Sequence, residues 1–296
     1  MGYLEDFKPE KDFFIGIDSD GCVFDTMEVK HKEFFCPATV KFFGLFAIAK
    51  YVRETWDFVN LYSVTRGINR FPALIRVMDL LADRPEVAER GVTLPDMEPL
   101  REWVSRETRL GNPLFREYVK ANPHPALQKV LEWTLAINED IAAWLRDTPP
   151  FPHARKSIEK LDVVADTMVV SQTPLEALTR EWKEHSIDGF VKAIAGQEQG
   201  TKSEHIALAA VGKYPPERML MIGDAPGDLK AADDNGALFF PVIPGDEDRS
   251  WKLFHDEALN RFITGTFRGE YQNRLLGEFR RSLPEVPPWK DRKSVV

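Results

Sequence analysis

Two aspartates one residue apart, Asp18 and Asp20, end the apolar run FFIGI at residues 13–17. Further along, Ser171 closes the run TMVV, Lys202 follows the apolar stretch FVKAIAG and a short polar loop, and Asp224 and Asp228 follow MLMIG. Carboxylates can act as nucleophiles, proton carriers or ligands for hard cations, and an ammonium group pairs with anions. Taken singly, each position has an ordinary structural explanation. Acids complement the start of a helix, a serine is common at a strand end, Thr173 reads as an N-cap ahead of Pro174, and Lys202 reads as a solvated surface lysine. Taken together they mean more. Ligands of an open parallel sheet sit beyond the carboxyl ends of its strands, and that one edge would collect four acids, a hydroxyl and an ammonium.

The elements that must position them are legible in the hydrophobic pattern. Residues 12–18 predict a short strand, continuously apolar as expected when helices cover both faces of a parallel sheet. From about 150 onward, short apolar strands alternate with helical segments of roughly ten residues, the pattern of repeated βα units. Between them, residues 38 to 148 are helical by pattern, with Pro37, Pro72, Pro99 and Pro125 near the openings of helices, where a missing N–H costs little. The expectation is an α/β fold: a Rossmann-like parallel-sheet core at 1–30 and 150–245, an all-helical domain inserted at 31–149, and a helical C-terminal extension at 246–296 that ends in a mobile polar segment.

Composition narrows the class of partner. The 296 residues are 43% hydrophobic and 29% charged, with a formal net charge of −8, which argues against a nucleic-acid surface. No run of about 18 apolar residues offers a membrane span, so no membrane partner is expected. The N-terminal residues MGYLEDFKPEKD lack the apolar segment of a signal peptide, and only Cys22 and Cys36 are present. A reducing, cytoplasmic setting fits both features.

The core pattern resembles the haloacid dehalogenase superfamily over residues 13–30 and about 150–245. Its first motif corresponds to Asp18-Ser19-Asp20-Gly21-Cys22, its second to Ser171, its third to Lys202 and its fourth to Gly223, Asp224 and Asp228. The resemblance implies a phosphatase for a small phosphorylated metabolite, with Asp18 as the nucleophile forming an aspartyl phosphate and Asp20 as general acid and base. It also implies Mg²⁺ held by Asp18, Asp20 and Asp224, with Asp228 as ligand or support, and phosphate held by Ser171, Gln172 and Lys202. The inserted helices resemble a cap of the family's first type, which would close over the site.

Cys22 departs from the family pattern by replacing the usual threonine, and a thiol braces a turn more weakly than a hydroxyl. Within the superfamily, Asp20 favours phosphate esters over carbon–halogen bonds, because a departing alkoxide needs a proton. A phosphomutase sharing the same acid pair and a catalytically silent binding or scaffold module are the alternatives. GQEQGTKS does not meet the spacing of a phosphate-binding P-loop. In the inserted domain, Arg66 and Arg70 are candidate substrate contacts, followed by Lys30, His31 and Lys41. The aromatic residues Phe42, Phe43, Phe46, Trp56 and Phe58 read as packing.

Overall fold

Strands that are apolar without interruption must be buried on both faces, and the computed structural model, which describes residues 2–291, arranges them so. The polar chain end expected to be mobile, 292–296, lies outside the described residues. Five parallel strands form one sheet: β1 (Phe13–Ile17), β2 (Ala165–Val170), β3 (Ala193–Ala195), β4 (Met219–Gly223) and β5 (Leu238–Pro241), in the order β3-β2-β1-β4-β5. β1 is central, pairing Ile15 with Thr167 of β2 on one side and with Leu220 of β4 on the other. The order reverses between β1 and β4, so the crevice for a ligand opens beyond their carboxyl ends.

Side-chain alternation along the strands supplies two apolar layers. Ile15, Ile17, Val169, Leu220 and Phe240 pack on one face with Trp182, Trp251, Phe254 and Phe262. Phe14, Met168, Val170, Met221 and Phe239 pack on the other with Phe7, Ile206, Tyr214 and Phe279. Gly16 lets the neighbouring side chains approach closely, since a Cβ there would lie 3.1 Å from both Met221 Sδ and Val170 Cγ2.

The chain divides into two compact units. The α/β unit holds residues up to Met27 together with Asp147–Pro284, and the helical unit holds Glu28–Arg146 together with the chain from Glu285 onward. Residues 246–284, set apart above as an extension, are therefore part of the α/β unit, and Trp251, Phe254 and Phe262 complete one of its two apolar layers. An amphipathic pattern tells how a helix is faced, not what it packs on.

The helical unit is built from helices that include Ala49–Asn60, Arg70–Ala82, Glu98–Arg106 and Pro125–Trp144. Its core centres on Trp56, Phe71, Trp103, Phe115 and Trp133. Phe42 and Phe43 pack against this core, whereas Phe46, read above as packing, is 69% exposed. The last described segment also belongs here. Arg84 lies 4.4 Å over the Trp289 ring, Phe58 meets that ring edge-on at 5.5 Å, and Lys290 pairs with Asp83 at 3.0 Å.

Candidate active site

The turn after β1 is set by backbone chemistry. Ser19 O accepts from the amides of Cys22, Val23 and Phe24, and Gly21 adopts φ +76°, a left-handed conformation that disfavours any residue with a Cβ. The Asp18 amide donates to Ile222 O of β4 at 3.0 Å, tying the first acid to the end of the neighbouring strand. Cys22 is fully buried, and its Sγ lies 3.8 Å from Ile222 O, a weak contact at best. A stronger brace comes from the C-terminal segment: Trp251 Nε1 donates to Cys22 O at 2.6 Å. The sequence offered no sign of this second support.

The loop after β4 is equally constrained. Asp228 Oδ2 accepts from the amides of Asp224 and Ala225, at 3.2 and 3.0 Å, closing the loop on itself. Gly223 is needed for this, because a Cβ there would lie 2.4 Å from the Asp228 Cβ and Cγ. Lys202 opens the helix Lys202–Ala209, whose start is fixed by reciprocal hydrogen bonds between Thr201 and Glu204. From there Lys202 Nζ donates to Asp18 Oδ2 at 2.7 Å and Asp228 Oδ1 at 2.6 Å.

Asp18, Asp224 and Asp228 thus meet, each buried and each offering an oxygen within 4.8 Å of the others. Burial pushes the Asp18 carboxyl well above the usual range; Lys202 pulls it down, while Asp228 and Asp224 push it further up. Burial also works against the charge on Lys202, but the carboxylates of Asp18 and Asp228 outweigh it and hold that ammonium above its ordinary pKa. Three carboxylates against one ammonium leave a net negative buried cluster made of hard oxygen donors. Such a donor set fits a small hard divalent cation, which would offset the surplus charge.

Asp20 joins through hydroxyls. Its Oδ1 accepts from Thr26 Oγ1, and its Oδ2 accepts from Thr173 Oγ1 at 2.7 Å. Thr173 is therefore not the N-cap expected above; the following helix, Leu175–Glu184, is preceded by Pro174, and the hydroxyl turns to Asp20 instead. Ser171 is buried, with its Oγ accepting from the Thr173 amide at 3.2 Å. Gln172 is exposed, and its Nε2 donates to Gly200 O at 2.9 Å, linking this loop to the one that precedes Lys202. Lys202 thus joins the first, third and fourth sequence motifs by direct hydrogen bonds, and Ser171 of the second reaches Asp20 through Thr173. Thr26, Thr173 and Trp251 were missed by the sequence, since each acts through a partner far along the chain or across a turn.

Arg66 and Arg70 sit within the helical unit. Arg66 is 2% exposed and donates to Leu61 O at 2.8 Å, a fold-supporting contact. Arg70 lies 4.8 Å over the Phe35 ring and donates to Thr134 Oγ1 and Asn138 Oδ1, and burial lowers its guanidinium to about 10. His31 accepts from Trp56 Nε1 at 3.1 Å and stacks on Phe35, and Lys41 lies over Phe42.

No family model matches the chain, and no curated protein matches it. Among solved structures it is similar to a protein described as a haloacid dehalogenase-like hydrolase from Bacteroides fragilis, 15% identical, with a TM-score of 0.50 over 81% of this chain and 93% of that one. The fold is haloacid dehalogenase-like. A structure named as a phosphoglycolate phosphatase from Lactobacillus delbrueckii subsp. bulgaricus is 18% identical, with a TM-score of 0.47 over 83% and 92% of the two chains. A haloacid dehalogenase-like family protein from Streptococcus pneumoniae is 16% identical, with a TM-score of 0.44 over 80% and 90%.

Proposed function

We propose that the protein is a Mg²⁺-dependent phosphatase of the haloacid dehalogenase superfamily, cleaving a small phosphorylated metabolite in the cytoplasm through an aspartyl phosphate. One observation carries the reading. At the switch point of the sheet, Asp18 is held by Lys202 and clustered with Asp224 and Asp228, while Asp20 stands two residues on, fixed by hydroxyls.

In this reading Asp18 attacks the phosphorus atom; an Asp18–phosphorus bond forms as the bond to the leaving oxygen breaks. Asp20 gives its proton to that oxygen, so the product departs as an alcohol. Asp20 then takes a proton from water as the water oxygen attacks phosphorus, which frees Asp18 and inorganic phosphate. Lys202 and the Ser171 loop, with Gln172, offset and orient the phosphoryl oxygens. Mg²⁺, when bound, supplies the positive charge that lets an anionic substrate approach a cluster of acids. Asp18, Asp224 and the Asp20 backbone carbonyl would hold it. Both Asp228 oxygens already accept hydrogen bonds from Lys202 and two backbone amides, which suits Asp228 to support rather than direct ligation.

Release of inorganic phosphate from a panel of phosphorylated sugars, nucleotides and small acids, with and without Mg²⁺, tests the proposal. Turnover should require the cation, and Asp18→Asn should lower it by more than about a thousandfold with the circular dichroism spectrum unchanged. Wild-type-like activity in that variant would remove Asp18 from its role.

A further inference from the structure

Thr173 stands outside the four motifs, yet its hydroxyl reaches a reacting carboxyl. The loop that carries it does not depend on that hydroxyl. The Thr173 amide donates to Ser171 Oγ at 3.2 Å, and its carbonyl accepts from the Gln197 amide at 3.1 Å. Gly196 closes against the same carbonyl, where a Cβ would lie at 2.7 Å. The next residues are tied down as well, since the Leu175 amide donates to Glu198 Oε2 at 2.9 Å. With the backbone fixed on both sides, the side-chain bond of 2.7 Å to Asp20 Oδ2 is left to serve Asp20.

The chemistry gives that bond a purpose. A carboxyl group that hands a proton to a departing oxygen must keep its plane and its reach, because proton transfer in the transition state depends on heavy-atom geometry. Asp20 stands on a turn, and a single hydrogen bond would leave its carboxyl free to swing about that bond. Here each oxygen accepts one hydroxyl, from Thr26 on one side and Thr173 on the other. Hydroxyls on both oxygens fix the plane of the carboxyl in a way that one alone would not.

We propose that Thr173 is a positioning residue for proton delivery, holding the Asp20 carboxyl in line with the leaving oxygen of the substrate. The inference rests on the phosphatase reading above. It makes a claim that reading does not: Thr173 matters most where the leaving group needs a proton most.

Phenyl phosphate and p-nitrophenyl phosphate test this, since they differ little in size but the nitrophenolate departs with far less help from an acid. The quantity to compare is kcat/KM with Mg²⁺ present, which reports on steps up to leaving-group departure and not on later hydrolysis of the aspartyl phosphate. In Thr173→Val, the ratio of kcat/KM for phenyl phosphate to that for p-nitrophenyl phosphate should fall about fivefold from the wild-type ratio, a fraction of a full general-acid contribution. Thr173→Ser, which keeps a hydroxyl, should restore the ratio. A Thr173→Val enzyme that slows both esters by the same factor, or a Thr173→Ser enzyme that fails to recover the ratio, overturns the positioning role while leaving the phosphatase reading intact. If wild type turns over neither these esters nor any member of the phosphorylated panel above, the phosphatase reading falls and takes this inference with it.

Discussion

At the scale of single residues, the site is held by close approaches that leave little tolerance. Gly223 is the clearest case, because Asp228 folds back over it to accept two backbone amides. Gly223→Ala should displace Asp228 and loosen its grip on Lys202, costing at least ~2 kcal/mol of stability, in the range of overpacking. Urea denaturation with the midpoint compared at constant slope measures it, and an unchanged midpoint would show that the loop has room to move. The motif residues Asp18, Lys202, Asp224 and Asp228 were legible in the sequence because strand ends in a parallel sheet converge whatever the loops do. Thr26 and Thr173 were not, because the direction a hydroxyl takes from a turn depends on backbone angles that residue type does not encode. Arg66, read from the sequence as a candidate substrate contact, is nearly fully buried and donates to the Leu61 carbonyl.

At the scale of elements, the helix Lys202–Ala209 serves the site with its first residue and the core with its middle. His205 on that helix is fully buried, and desolvation lowers its imidazole to about 4 from 6.5. The folded state thus refuses a proton that the unfolded chain accepts once pH drops below about 6.5. Stability contributed by neutral His205 is complete above that pH and is lost as pH falls toward about 4, by roughly 2 kcal/mol after allowance for relaxation. Thermal unfolding at pH 7 and pH 5 should show the loss in wild type and a smaller loss in His205→Leu; equal losses would assign the effect to other groups. The hydrophobic pattern made the strands and most helices of the core legible in kind. It failed on residues 246–284, because nothing in an amphipathic helix names its partner, and Trp251 proves to brace the turn of Asp18 and Asp20.

At the scale of the whole molecule, the chain passes out of the α/β unit after Met27, returns at Asp147 and leaves again after Pro284. That last passage brings Trp289 between Arg84 and Phe58 of the helical unit. Trp289→Ala should destabilise the helical unit by about 2 kcal/mol, the sum expected for a lost aromatic contact and a cation–π pair. Hydrogen exchange resolves where the effect falls: amides of the helix Ala49–Asn60 should exchange faster, while those of β1 keep their protection. Uniform acceleration across both units would contradict the assignment.

The central position of β1 also dictates an order of events during synthesis. Its strand leaves the ribosome first, but its β4 neighbour, which pairs Ile17 with Ile222, is made about 200 residues later. Until β2 is made both sides of this apolar strand lack a partner, and until β4 follows one side still does, since pairing across so long a separation is entropically slow. The bulk of the helical unit, wholly contained in the interval, is translated first and can become compact while the sheet still waits for its second half.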